Sequence, residues 1–288
     1  MKDRVEVAKT LRAEYPARML CRLFNISPST FYYSSLPKRD LTNLRITIET
    51  LLVMFPFYGA RKMYDQLLRD QVFCTRQEVS LIYRELGLLR KRPPPKVRTT
   101  DSRHEHTVYP NLVVGLKVVR PNQVWVADTT YLKIGGRTAY LALVEDRFTR
   151  RILGWEISFA NNAELTTTAL QKALFKGRPE IHHSDQGKTY AADRYVRLLI
   201  GCLISMAAVG RPKENPHAER LNRTVKDEEI YRSDYQNIAQ AREGLAAYVK
   251  LYNELRMHSS LKKKTPNEFL KDSLEEKTSN GNLPSKDQ

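Results

Sequence analysis

Three runs of apolar, β-branched and aromatic residues, at 122–134, 138–144 and 151–159, follow one another closely. Only Gly135-Gly136 and Asp146-Arg147-Phe148-Thr149 separate the main breaks between them. Breaks this short leave no room for a crossover helix, so neighbouring runs must pair antiparallel, which predicts a three-stranded meander. After residue 160 the pattern alternates: helix over 163–175, short strand over 180–184, helix over 193–200, strand over 203–207, then helices over 218–231 and 239–255. A meander followed by alternating helices and strands predicts a mixed α/β layer.

The residues before this layer read as helical. An apolar run from Arg18 to Phe24, the turn Asn25-Ile26-Ser27 and the segment Pro28-Ser29-Thr30-Phe31-Tyr32-Tyr33 fit a helix-turn-helix, with Ser27 as cap and Pro28 in the first turn. A plain helical hairpin fits the same residues. Further helices are expected over 40–55, 58–72 and 75–89, the last opened by a Thr75/Glu78 capping box and closed by Gly87. Arg90-Lys91-Arg92-Pro93-Pro94-Pro95-Lys96 cannot be helix interior, because successive prolines remove donors and fix φ. The expected organisation is a helical DNA-binding region at 1–92, a basic proline-containing linker at 93–120, a catalytic core with its C-terminal helix at 121–272, and a disordered tail at 273–288.

Charge points to the partner. The chain of 288 residues has 48 Lys and Arg against 32 Asp and Glu, a net charge of +16, and an excess of this size favours a polyanion such as DNA. Residues 1–100 hold 19 of these bases and 9 of the acids. No run is long enough to cross a bilayer and the start MKDRVEVAKT lacks the apolar centre of a secretory signal, so a cytoplasmic location without membrane contact is expected. Cys21, Cys74 and Cys202 stand far apart, which argues against zinc sites and disulfides.

Hydrolysis and transfer of phosphodiesters by metal ions require converging carboxylates. Asp128 interrupts the otherwise apolar strand Val124-Trp125-Val126-Ala127-Asp128, where an unpaired charge is costly, although a turn-capping Asp at a strand end would look alike. Asp185 ends the strand Ile181-His182-His183-Ser184 just before Gln186-Gly187, a place where a site acid and a turn Asp are both common. Glu219 falls in the first turn of a helix, where a Glu also complements the helix dipole. Lys226, seven residues on, is expected on the same face and within reach of a DNA phosphate, unless it is simply solvated. Asp146, the nearest rival acid, reads as a turn residue. His183 is a candidate to orient Asp185 or to touch DNA, and Arg223, Arg61, Lys62, Arg90, Lys91 and Arg92 are further candidate DNA contacts.

Together these segments resemble one family. Tyr58-Gly59-Ala60-Arg61, Pro121 to Tyr131, His183-Ser184-Asp185-Gln186-Gly187, Ser205-Met206, Asn215-Pro216-His217-Ala218-Glu219-Arg220, Tyr252 to Leu261 and Thr265-Pro266-Asn267-Glu268-Phe269 occur in the order seen in DDE-type transposases of bacterial insertion sequences. The likeness is to the insertion-sequence-three group, whose integrase core is similar to that of retroviral integrases. It implies a ribonuclease H-like core preceded by the all-α helix-turn-helix region, and metal-dependent DNA cleavage and strand transfer. It also implies Asp128, Asp185 and Glu219 as ligands of Mg²⁺ or Mn²⁺, with Lys226 as the basic residue that follows the Glu.

The implied partners are insertion-sequence ends and target DNA, further copies of the chain, and an upstream-frame DNA-binding partner or fusion. The stretch of 33 residues between Asp185 and Glu219 is slightly shorter than the resemblance implies, the shortfall falling between Leu199 and Ser205. A tyrosine recombinase would need an Arg/His constellation absent here. A catalytically inactive DNA-binding protein on the same scaffold is the alternative of a different class.

Overall fold

The computed structural model describes residues 2–32, 39–88, 108–208 and 214–280, with backbone alone for residue 2 and residues 277–280. Arg90, Lys91, Arg92 and the proline run lie outside the described residues, as do residues 281–288. Contacts divide the chain into Met1–Glu49 and Thr50–Gln288. In the first unit, α1 (Lys2–Thr10), α2 (Ala17–Leu23) and α3 (Pro28–Tyr32) enclose Ala8, Leu20, Cys21, Ile26 and Phe31. Asn25 turns the chain between α2 and α3 with φ +52, and Ser27 Oγ caps α3 by accepting the Thr30 N–H at 3.1 Å.

Helix α4 (Thr42–Met54) starts where Asp40 accepts the Thr42 N–H, and runs across the division. The pair α5 (Ala60–Arg69) and α6 (Arg76–Glu85) belongs to the second unit, although sequence grouped it with the N-terminal region. Its ties lie far along the chain: the Tyr58 hydroxyl accepts the Met257 N–H at 3.1 Å, Lys263 pairs with Asp65 at 2.7 Å, and Arg69 pairs with Glu268. The capping box at Thr75 and Glu78 is present, and Gly87, at φ +68, ends α6 as expected.

The sheet that follows has the order β3-β2-β1-β4-β5. Strands β1 (Val124–Ile134), β2 (Arg137–Asp146) and β3 (Ile152–Ser158) form the antiparallel meander. After α7 (Ala163–Leu174), β4 (Ile181–Ser184) pairs parallel with β1; after α8 (Asp193–Leu198), β5 (Leu203–Met206) pairs parallel with β4. This is the mixed α/β sheet that the sequence predicts. The shortened stretch after Leu199 is taken up by a tight turn, with the Cys202 N–H bonded to the Leu199 carbonyl and Gly201 at φ +84, so β5 keeps its register.

Alternation along β1 sorts the two faces. Trp125 and Ala127 enter the core with α7 residues Leu165, Ala169 and Ala173, whereas Val124 and Val126 pack with Ala218 of α9 (Pro216–Val225). Both sheet edges are covered. Asn253, in α10 (Ile238–Glu254), clamps β3 like a strand neighbour: its Oδ1 accepts the Ile152 N–H at 2.9 Å while its Nδ2 donates to the Ile152 carbonyl at 3.0 Å. Across the sheet, the Met206 N–H of β5 donates to the Pro110 carbonyl at 3.4 Å, and Ser205 Oγ accepts the Leu112 N–H. Helix α11 (Pro266–Asn280) corrects the expected tail, because regular helix continues well beyond residue 273. Thr265 Oγ1 accepts the Glu268 N–H and Glu268 accepts the Thr265 N–H, a second capping box that starts this helix firmly.

Helix α7 crosses β3 so closely at Gly154 that a Cβ there would lie 2.0 Å from the Ala169 carbonyl oxygen and 2.7 Å from the Ala173 nitrogen. Backbone on both sides cannot yield cheaply. Gly154→Ala is therefore expected to destabilise the core by about 1–3 kcal/mol or more, read as a lower urea midpoint at an unchanged slope. An unchanged midpoint would mean that α7 is free to move away.

Candidate active site

Parallel pairing matches Val124 with Ile181, Trp125 with His182 and Val126 with His183. Two residues further along each chain stand Asp128 and Asp185, the first inside β1 and the second just past the end of β4. By the alternation of β1, Asp128 shares the face of Val124 and Val126 and so looks toward α9. Its Oδ1 accepts the Thr129 N–H at 2.8 Å, and its Oδ2 accepts from Asn222 Nδ2 of α9 at 2.7 Å. Thr129, on the opposite face, shares a 2.8 Å hydrogen bond with the buried Tyr190 hydroxyl. Asp185 Oδ1 accepts the Gly187 N–H at 3.0 Å; a Cβ on Gly187 would approach that same oxygen to 2.9 Å, so the turn favours glycine.

Helix α9 brings in the third acid. Pro216 opens it, and Asn215 Nδ2 donates to the Ala127 carbonyl at 3.1 Å, tying the helix start to β1 beside Asp128. Ala218 packs against Val124 and Val126, Glu219 stands exposed in the first turn, and Asn222 follows three residues later. Asn222 was not singled out from sequence, although its i, i+3 spacing from Glu219 is a signal that would have found it.

The Asp128 carboxyl is pushed up to about 7 by burial and by the charge of Asp185, with a further contribution from Glu219; the bonds from Thr129 and Asn222 work in the other direction. Both other acids therefore act electrostatically on Asp128. Among the described residues no ion pair reaches Asp128, and no three His, Cys, Asp or Glu side chains stand close enough together to hold an ion as they are. These two observations differ in range: mutual influence extends beyond the contact distance of a ligand set. Of the three acids, Glu219 on α9 is the exposed one.

The expected DNA contacts are placed unevenly. Arg61 and Arg223 are exposed, Arg223 lying 3.4 Å from Asp227, while Lys62 is half-buried with its ammonium over the Tyr58 ring. His183 is buried rather than presented to a ligand. Its Nδ1 meets Ser205 Oγ at 2.9 Å and its Nε2 meets the Glu214 carbonyl at 3.2 Å, and burial pulls it down to about 4. It braces the strand that carries Asp185. Lys226 is also buried, 7% exposed, with its ammonium 4.6 Å from the centre of the Tyr131 ring. The α-helix ends at Val225 and a π-helical turn covers Lys226–Ile230, so the residue does not simply continue the face of Glu219.

That π turn is anchored from the C-terminal region. Arg256 grips Glu228 with a fork of two bonds, Nε to Oε2 at 2.6 Å and Nη2 to Oε1 at 2.7 Å, and the Tyr248 hydroxyl donates to Oε2 at 3.0 Å. Burial opposes the charge on Arg256, but the bonds and charge of Glu228 outweigh it and hold its pKa above the ordinary value. Tyr252 and His258 complete the cluster with ring centres 4.8 Å apart. The segment Tyr252 to Leu261 is thus a clamp on β3 and on the turn behind the acidic helix.

Two family models, each described as an integrase core domain, match residues 118–212 and 200–266. The transposase for insertion sequence element IS629 of Shigella sonnei is 30% identical over 262 residues, covering 86% of this chain and 88% of that protein. The transposase for insertion sequence element IS904 of Lactococcus lactis is 31% identical over 221 residues, 74% of this chain and 87% of the relative. Among solved structures, the HTLV-2 integrase catalytic core domain in complex with magnesium matches at TM-score 0.45 and 18% identity, covering 53% of this chain and 99% of that one.

Removing one partner of a buried, hydrogen-bonded ion pair strands the other. Arg256→Ala is expected to cost about 3–5 kcal/mol in urea unfolding, whereas replacing both partners, Arg256→Met with Glu228→Leu, should cost far less. Equal losses for the single and double variants would show that packing, and not the stranded Glu228 charge, sets the cost.

Proposed function

Because the chain belongs to the DDE-type insertion-sequence transposases of the insertion-sequence-three group, we propose that it frees the ends of its element and joins them to target DNA using Asp128, Asp185 and Glu219. It is a polynucleotidyl transferase with an integrase core. One observation carries the assignment of the acids: the Asp128 carboxyl is crowded by the charges of Asp185 and Glu219 and receives only two neutral donors, from Thr129 and Asn222. A carboxyl in that position takes up a proton unless a cation offsets its neighbours. The residues therefore fit a divalent ion, Mg²⁺ or Mn²⁺. Such an ion, held by the three acids, supplies polarisation of the scissile phosphate and a more acidic attacking water.

The chain's own groups set the geometry. Asn222 and the Thr129 N–H each fix one oxygen of Asp128, the Gly187 N–H fixes one oxygen of Asp185, and Glu219 supplies the third carboxylate from the first turn of α9. Water and then a DNA 3′-hydroxyl attack phosphodiesters in line, so no side chain needs to become a covalent nucleophile. Helices α2 and α3 read best as a DNA-docking helix-turn-helix, with Arg61, Arg223 and Lys226 as further contacts, Lys226 once its ammonium leaves the Tyr131 ring. The chain is proposed to work as an oligomer on paired element ends.

Asp128→Asn, Asp185→Asn and Glu219→Gln remove charge with little change of volume. Each is expected to abolish Mg²⁺-dependent cleavage of element-end DNA while leaving DNA binding near the wild-type level. Asn222→Ala, which frees one oxygen of Asp128, should lower cleavage by about 10–100-fold without abolishing it. Near wild-type cleavage by any of the acid variants, in a gel assay with Mg²⁺, would remove that residue from the triad.

A further inference from the structure

Beside the triad, on the face that carries α9, lies a cleft of about 310 Å³ walled by Val126, His183, Asn215 and Pro216 and bordered by Arg147 and His217. Val126 and His183 stand two residues before Asp128 and Asp185, so the cleft adjoins the acidic site. The turn after β2 aims basic residues at it. Asp146 builds that turn, its Oδ1 accepting the Phe148 and Thr149 N–H groups and the Thr149 hydroxyl, and Arg150 leaves it at φ +62 to meet His217 Nδ1 with its guanidinium. Arg220, one helical turn along α9 from Pro216, adds a third guanidinium near the same imidazole.

These three cations have little to balance them. Among the described residues, Arg147, Arg150 and Arg220 form no ion pair with any carboxylate. Glu145, the buried acid beside Arg150 and Arg220, is pushed up to about 8 by burial, so it is largely uncharged at neutral pH, and its Oε2 has no hydrogen-bond partner. Glu214 also borders the cleft, but its Oε2 accepts from Asn111 Nδ2 and from the Ala208 N–H, both at 2.8 Å. His217 is held down to about 3 by burial and by the three arginines, so it stays neutral and accepts from Arg150. The positive end of α9 adds to the field.

We propose that Arg147, Arg150 and Arg220, gathered around His217 at the start of α9, seat a backbone phosphate of the DNA duplex being processed. The inference rests on the reading of the chain as a DNA-cutting enzyme and assigns a contact that reading leaves open. The spacing suits it. The Arg147 N–H bonds the Val124 carbonyl, and four residues of strand from Val124 to Asp128 span ~13 Å. A duplex strand advances about 3.4 Å per nucleotide along its axis, so a phosphate seated there falls within a few nucleotides of the bond being cut.

The test is binding of the full-length chain to a fluorescent duplex of generic sequence across a salt series. Each lost phosphate contact flattens the slope of log affinity against log salt by about 0.9, so Arg147→Gln with Arg220→Gln, which removes the one seat, should flatten it by about 0.9. Arg147→Lys with Arg220→Lys should keep the wild-type slope. Arg194→Gln with Arg197→Gln, an equal loss of charge on the exposed face of α8, should leave it unchanged. The exposed Arg220→Gln alone, with a predicted flattening in the same direction of up to about 0.9, serves if the double variant does not fold. A wild-type slope in the Arg147/Arg220 variant, or equal flattening in the Arg194/Arg197 control, overturns the phosphate seat and leaves the transposase reading standing. Failure of the wild-type chain to bind duplex DNA overturns both.

Discussion

Parallel pairing of β4 against β1 sets Val126 beside His183, and continuing that register by two residues brings Asp128 and Asp185 abreast at one height in the sheet. The placement of the two aspartates follows from this alignment. A one-residue slip would turn one of the two side chains to the opposite face. The register is protected by neighbours on both sides: His182 and His183 are buried, His182 bonded to the Tyr195 hydroxyl at 3.0 Å and His183 to Ser205 of β5. Two histidines kept neutral by burial thus hold the strand that delivers an acid, at less electrostatic cost than two cations would impose.

The third acid depends on different forces. Helix α9 is fixed at its start by Asn215 to the Ala127 carbonyl, in its middle by Asn222 to Asp128, and behind its end by Arg256 to Glu228. The first two bonds aim Glu219; the third holds the π turn from which Lys226 bends toward Tyr131. Both ends of the clamp segment are engaged as well, since Asn253 closes the β3 edge and the Met257 N–H reaches Tyr58. A change at Arg256 is therefore coupled to the helix that carries Glu219 without touching any acid of the site.

Legibility in the sequence followed the distance over which each feature is determined. The meander was readable because Gly135-Gly136 and the Asp146 turn act within a few residues, and the α6 capping box because Thr75 and Glu78 are neighbours in chain and space. The three acids of the proposed triad were picked out through local strings that carry the family resemblance. Grouping α5 and α6 with the N-terminus failed because their anchors, such as Tyr58 to Met257, bridge 199 residues. The buried position of Lys226 could not be read from a helical period of 3.6, since the π turn changes that period at that residue. The polar composition after residue 273 concealed the helix that the Thr265 and Glu268 capping box starts.

Four acids in or near the core of this unit are each treated differently, and the contrast supports the choice of Asp128 as the one proposed for chemistry. Asp146 is satisfied by four donors, the N–H groups of Asn122, Phe148 and Thr149 and the Thr149 hydroxyl, and has a structural task that consumes its lone pairs. Glu228 is neutralised by the guanidinium fork of Arg256. Glu145 meets its burial with a proton, its pKa raised to about 8. Asp128 has neither an arginine nor a full set of donors, and two further acids lie close enough to raise its pKa to about 7. Burial alone does not distinguish Asp128, because Glu145 is buried more deeply. What distinguishes Asp128 is like charge gathered around a partly satisfied carboxyl, the arrangement that the proposed divalent cation would offset.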